Sequence, residues 1–282
     1  MKRFLVGVDG SAGSETALRW AVQVSKQTGA DILAVHAYQR PFIEMARDRH
    51  ETLVEERTTF LENEWTRAAR DAGVAVETRL IEGDQRDIVA SLTGDEPFDL
   101  AVLGRSGRGG GPGLIHLGSV VEHAAHHTRC PLAIIPTNVE LPVRLIAIGL
   151  DGSAESAAAV DWCARFAADV GAAVIALSVD EPVLEWTPSW DDKNWRRTVE
   201  HDLEALATPI RSQGVHVEVV AVRDFRPADG LLDVATARGA DLLVIGTRGA
   251  GGFSGLRVGG VAMKVLHKAS IPLVLVPPPE KR

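Results

Sequence analysis

Cysteine is scarce in this chain: Cys130 and Cys163 are the only two in 282 residues. Two thiols so far apart in sequence exclude a disulfide framework and a multi-cysteine zinc cluster. Each lies beside apolar residues and reads as a small core side chain, so a reducing, cytoplasmic setting is expected. Long apolar runs are missing as well. No stretch approaches the roughly 18 to 20 apolar residues of a spanning helix. In the opening MKRFLVGVDGS, Asp9 ends the apolar run too early for a signal peptide, and no membrane association is expected. Positive charge is in deficit, with 30 Lys and Arg against 38 Asp and Glu and a net charge of −8. That balance argues against a general grip on nucleic acid but leaves room for a small local anion site.

The common nucleotide and hydrolase signatures are absent too. There is no G-x4-G-K-[ST] phosphate loop, and no G-x-G-x-x-G follows the first apolar run. Neither half carries the G-x-S-x-G turn of a serine hydrolase, and no set of nucleophile, base and orienting group emerges. No catalytic residue and no metal ligand is therefore assigned. What remains is ordinary globular material, 45% hydrophobic and 24% charged, long enough for about two domains of roughly 150 residues.

Those two domains are copies of one another. VGVDGSA at residues 6–12 matches IGLDGSA at 148–154, an offset of 142 that also links Trp20 to Trp162, Gly29 to Gly171, Asp99 to Asp241, Gly104 to Gly246 and Gly107 to Gly249. Beyond the glycine loops the offset is 141, linking Gly118 to Gly259 and Pro131 to Pro272. A repeat this long is a whole domain rather than a solenoid unit. The expected domains are residues 1–138 and 143–282, joined by the polar TNVELP.

Within each half, short apolar runs alternate with stretches at helical spacing. Strands are predicted at Phe4–Val8, Ile32–Ala37, Val74–Leu80, Leu100–Leu103 and Leu132–Ile135, then at Leu145–Leu150, Ala173–Val179, Val215–Val222, Leu242–Ile245 and Leu273–Val276. Glu15–Thr28 and Leu53–Ala72 read as helices, and TGAD and VGAA as glycine-closed helix ends. Runs buried on both faces, alternating with helices, predict an α/β fold with a parallel sheet covered on both sides. Right-handed crossovers then bring the loops after strands 1 and 4 together at the carboxyl edge, where such sheets bind ligands.

After the fourth strand comes GRSGRGGGPGLIHLGS, Gly104 to Ser119, in which seven of sixteen residues are glycine. Amides of such a loop, followed by a helix start, form an anion cradle, with Arg105 and Arg108 adding charge and Ser119 a hydroxyl. A polyphosphate is the expected guest. Asp9, at the end of strand 1, is a candidate acceptor for nucleoside amino or hydroxyl groups, though DGS is also an ordinary turn.

These residues resemble the universal stress proteins in their tandem form, over nearly the whole chain. That family's pattern is G-x2-G-x9-G-[ST] after the fourth strand, with an Asp ending the first. The resemblance implies a five-stranded domain of order 3-2-1-4-5, twice. It also implies ATP, alone or with Mg, bound with slow hydrolysis or none, and a homodimer or domain pair formed through the edge strand. By position it implies a first site of Val8, Asp9, Ala37, Gly104, Arg105, Gly107, Gly118, Ser119 and Val120. The second would comprise Leu150, Asp151, Val179, Gly246, Thr247, Gly249, Gly259, Gly260 and Val261. The first copy spaces its later glycines by ten residues rather than nine, and the second has Gly260 where the hydroxyl belongs.

The expected function is an ATP-binding stress-response sensor or regulator, in which nucleotide orders the glycine loops and sets assembly or partner binding. Two other readings stay open: a slow ATP-hydrolysing or adenylate-forming enzyme, and an interaction module that has lost its nucleotide. His116, His123, His126 and His127 crowd the helix after the first glycine loop and read as a solvated or interface face. Trp186, Trp190 and Trp195 read as loop packing or a partner surface.

Overall fold

The computed structural model describes residues 1–39, 47–107, 117–139, 142–181, 192–249 and 257–279. The chain divides into two compact units, Met1–Leu141 and Pro142–Arg282. In the first unit the order is β1 (Arg3–Gly7), α1 (Ala12–Thr28), β2 (Asp31–Tyr38), α2 (Arg47–Phe60), a π-helical turn (Leu61–Trp65), α3 (Arg67–Asp71), β3 (Val76–Glu82), α4 (Gln85–Asp95), β4 (Leu100–Gly104), α5 (Ser119–His127) and β5 (Leu132–Ile135). The second runs β6 (Leu145–Gly149), α6 (Ala154–Val170), β7 (Ala173–Asp180), α7 (Asp192–Arg211), β8 (Val217–Arg223), α8 (Pro227–Ala237), β9 (Leu242–Gly246), α9 (Gly260–Lys268) and β10 (Leu273–Val276).

Each unit's strands are ordered as expected: β3-β2-β1-β4-β5 in the first, β8-β7-β6-β9-β10 in the second. The pairings within each unit are parallel, as in Phe4 opposite Ile32 and Leu100, and Ile146 opposite Val174 and Leu242. The central strands are buried along their length because both faces are covered: Phe4, Leu100, Ile146 and Leu242 have no exposed surface. β3 departs from the expectation of a doubly buried strand. It lies at the end of its sheet, and its residues are half-buried or exposed. Charge replaces burial there: Arg79 pairs with Glu77 at 3.0 Å and also with Glu96, which Arg3 holds at 2.9 Å. Charged side chains suit a strand whose outer edge lacks a neighbour in the sheet.

The repeated residues do the same local work in both units. Ser11 and Ser153 cap α1 and α6, accepting from the amides of Ser14 (3.2 Å) and Ser156 (3.1 Å). Gly29 and Gly171 end those helices at φ +71° and +70°, a conformation that disfavours any side chain. The repeated Asp99 and Asp241 serve the fold rather than a site. Asp99 accepts from the Lys2 and Arg3 amides, and Asp241 from those of Arg144 and Leu145, which fastens the start of β1 and β6.

The two cysteines are buried free thiols, and burial pushes both up to about 12. Very little reactive thiolate is present at pH 8. A disulfide-exchange reagent is therefore expected to leave the native chain unmodified and to titrate two thiols once it is unfolded; fast reaction of the native chain would contradict this packing. No helix among the described residues is long and apolar enough to cross a membrane.

Candidate functional site

In both units the ends of the first and fourth strands meet. The Val8 amide bonds the Val35 carbonyl at 2.9 Å, and Leu150 bonds Leu177 at 2.8 Å, so each chain turns one residue beyond its strand. Asp9 and Asp151 follow at once. Asp9 Oδ1 accepts from the Ser11 amide at 2.9 Å, and Asp151 Oδ1 from both the amide (3.0 Å) and hydroxyl (2.6 Å) of Ser153. Gly10 and Gly152 complete the turns at φ +75° and +72°.

The glycines after β4 and β9 have geometric reasons that are not interchangeable. A Cβ on Gly104 would stand 2.5 Å from the backbone of Gly13 in α1, so the first glycine of the pair admits a helix. A Cβ on Gly107 would stand 2.7 Å from Asp9 Oδ2, and one on Gly249 2.3 Å from Asp151 Oδ2. The second glycine thus lets a carboxylate lie against the loop. The segment is latched at its base. The Arg105 amide donates to Ile135, and the Arg105 carbonyl accepts from Gly118 at 3.0 Å. Thr247 repeats this with Val276 and with Gly259 at 2.7 Å. Gly118 and Gly259 then start α5 and α9 without a side-chain cap, leaving the first-turn amides to the cleft.

The result is a cleft of about 550 Å³ in the first unit and about 530 Å³ in the second. Val8, Asp9, Ala37, Gly104, Gly107, Gly118, Ser119 and Val120 all line the first. Leu150, Asp151, Val179, Gly246, Thr247, Gly249, Gly259, Gly260 and Val261 line the second. Arg105 is placed differently from its expected role. Its side chain is buried and does not line the cleft, burial lowers the guanidinium pKa, and its backbone serves to latch the segment to Ile135 and Gly118. Arg108 lies outside the described residues.

Several lining residues were not assigned to the site from the sequence. In the first cleft His36, 4% exposed, holds the Val8 carbonyl at 2.8 Å and meets Trp65 edge-on at 4.5 Å. Gln85 donates to the Ala37 carbonyl at 3.3 Å, and Arg57 reaches the cleft from α2. The second cleft instead has Pro227, Glu181, Arg248 and Lys264. The repeat places Pro227 opposite Gln85 and Lys264 opposite His123, so comparing the halves carried no signal for them.

The described histidines of the cluster contact one another and Asp87. His123 pairs with Asp87 at 3.1 Å and stacks on His127 at 4.0 Å, while His127 Nδ1 contacts the His123 carbonyl at 2.8 Å. His116 lies outside the described residues, and no cluster of three or more metal-ligating side chains occurs among them. Trp195 donates to Asp180 at 2.7 Å beneath Arg223. Trp186 and Trp190 also fall outside the described residues.

The comparisons with known proteins agree with this architecture. The model of the universal stress protein family matches residues 1–136 and again 142–277. A universal stress protein of Mycobacterium tuberculosis is 28% identical over 310 residues, covering 98% of this chain and 95% of that protein. One from Mycolicibacterium smegmatis is 26% identical over 298 residues, covering 97% and 96%. Among solved structures, a universal stress protein from Archaeoglobus fulgidus superposes with a TM-score of 0.75 at 20% identity, over 98% of both chains. With two family domains end to end, each built around the same carboxylate and glycine loop, this chain belongs to the universal stress protein family.

Proposed function

We propose that the chain is an ATP-binding regulator of the stress response, holding one ATP in each cleft, alone or with Mg, with little or no hydrolysis. The observation that carries this reading is the packing of each Asp carboxylate against a loop glycine, facing an uncapped helix N-terminus, in both units. Clefts of about 550 and 530 Å³ suit a nucleotide-sized ligand. Asp9 and Asp151 would accept from sugar hydroxyls, Ala37 and Val179 would border the base, and the first-turn amides of α5 and α9 would take the phosphates. The buried Thr247 hydroxyl, without a partner among the described residues, is a donor that a phosphate oxygen would satisfy. Nucleotide occupancy would set homodimer formation and partner binding. The test is to denature freshly purified protein and to identify and count the released nucleotide. Two intact ATP per chain are expected. Mostly ADP would move the assignment to a slow hydrolase, and no nucleotide, with no binding on adding ATP back, would overturn it.

Gly260 offers a second test. A Cβ there meets nothing within 4 Å, whereas its counterpart in the first cleft is Ser119. A hydrogen bond to a charged oxygen contributes about 1.5–3 kcal/mol. Gly260→Ser is therefore expected to tighten ATP at the second cleft about ten-fold without loss of stability, as read by calorimetric titration. Unchanged affinity would place the phosphates away from that position.

A further inference from the structure

The two clefts share a frame but differ in the charge placed at its phosphate end. In the second, Arg248 and Lys264 line the cleft together with the buried Thr247 hydroxyl, 4% exposed. Arg248 Nε is buried without a hydrogen-bond partner among the described residues, as is Thr247 Oγ1. The nearby Asp229 is held by Lys268 at 2.6 Å and Arg226 at 3.1 Å and also feels the charge of Lys264, which makes no direct ion pair among the described residues. The carboxylates on this cleft are Asp151 and Glu181, which follow β6 and β7 rather than β9. In the first cleft the matching positions are filled otherwise. Arg105 stands where Thr247 does but is buried and is not among the lining residues, Ser106 replaces Arg248, and His123 replaces Lys264 and pairs with Asp87 at 3.1 Å. Arg57, from the helix after strand 2, is the one described cation lining it.

Resting on the nucleotide reading, we propose that the second cleft selects its ligand by phosphate charge, through Lys264, Arg248 and Thr247, more strongly than the first, whose described lining carries a single arginine, Arg57. The second cleft is thus a site for nucleoside triphosphates. The first discriminates less among mono-, di- and triphosphates. Two cations in a partly desolvated cleft favour each added phosphate charge, while amides and hydroxyls saturate with the first.

The experiment titrates the full chain with AMP, ADP and ATP, and with inorganic triphosphate as a competitor. Asp9→Ala weakens the first cleft and Asp151→Ala the second. The ATP-to-AMP affinity ratio should be about ten-fold larger in the Asp9→Ala chain than in the Asp151→Ala chain. Lys264→Ala added to Asp9→Ala should remove most of that excess while leaving AMP within about two-fold, and Lys264→Arg should retain it. Inorganic triphosphate should compete more strongly at the second cleft than at the first, and only while position 264 carries Lys or Arg. Circular dichroism confirms that each variant is folded, and Lys264 is exposed on α9, where alanine is well accommodated. Equal ratios at the two clefts, or a ratio untouched by Lys264→Ala, would overturn this inference and leave nucleotide binding standing. Failure of the unmodified chain to bind any of the three nucleotides would overturn both.

Discussion

Gly104→Ala is expected to destabilise the first domain by about 3 kcal/mol and to empty its cleft. Alanine at the end of a strand would ordinarily be favoured over glycine by about 0.5–1 kcal/mol, since glycine has more backbone freedom to lose. Here the added methyl group would lie 2.5 and 2.6 Å from the carbonyl carbon and oxygen of Gly13 and 2.9 Å from the Ser14 amide nitrogen. These are backbone atoms of α1 and cannot rotate aside, so the helix must move off β4 as a body. Gly7→Ala is a milder case: its close neighbour, at 2.5 Å, is the Leu103 Cδ2 methyl, the far end of a flexible side chain. Gly94→Ala is the control. It lies within α4 with only ordinary contacts, 3.5 Å from the Arg129 side chain, and should be neutral or stabilising by about 0.5 kcal/mol. Thermal melting separates the cases, with a fall of about 10 °C in the first domain's transition expected for Gly104→Ala. A fall of less than about 2 °C would show that α1 and β4 are not held at this distance.

That result bears on what the glycine pattern means. Read from the sequence, Gly104, Gly107 and Gly118 formed one cradle for phosphates. Structurally they divide: Gly104 admits α1, Gly107 admits the Asp9 carboxylate, and Gly118 begins α5. A spacing of glycines reveals that close approaches occur but not what approaches. The repeat was more informative, because duplicated residues mark duplicated local geometry, as in the Ser11 and Ser153 caps and the Asp99 and Asp241 clasps.

Strands were legible because a parallel sheet covered on both faces must be written as apolar runs. β3, at the sheet's end, obeys no such rule and begins two residues later than Val74–Leu80 would place it. The stretch Leu53–Ala72 read as one helix because nothing in its composition signals a break. The chain nevertheless widens into the π-helical turn at Leu61–Trp65, where the Thr66 hydroxyl bonds the Leu61 and Glu62 carbonyls, both at 2.9 Å. That turn carries Trp65, which meets His36 behind the first cleft. Residues that line the clefts from outside the repeated motifs, Gln85 and Lys264 above all, were illegible for a simpler reason. Their positions differ between the halves, and only tertiary structure brings them to the sheet edge.

Asp9→Asn and Asp151→Asn are each expected to remove one of two bound ATP molecules while leaving the fold intact, and the sign of the change decides what the carboxylates do. If they only shape the turn, asparagine is an adequate replacement. Its side-chain oxygen can still accept from Ser11 or Ser153, as Oδ1 does at 2.9 Å and at 3.0 and 2.6 Å. Removing the negative charge would then relieve repulsion of the phosphates, about 0.5 kcal/mol per phosphate charge at roughly 8 Å in water and about a third of that at physiological salt, and ATP would bind slightly tighter. If each carboxylate also accepts from a sugar hydroxyl, the Oδ2 that faces Gly107 or Gly249 becomes an NH2 group, a donor where an acceptor is needed. A lost hydrogen bond to a charged group costs about 1.5–3 kcal/mol, which outweighs the relieved repulsion and weakens binding ten-fold or more. Alanine adds the loss of the turn to the loss of the acceptor, so Asp9→Ala should lower both affinity and melting temperature, and asparagine affinity alone. Counting bound nucleotide in both variants, beside their melting curves, separates the roles. Tighter binding in the asparagine variants would confine both aspartates to the turn and leave the helix N-termini and loop amides as the determinants of binding.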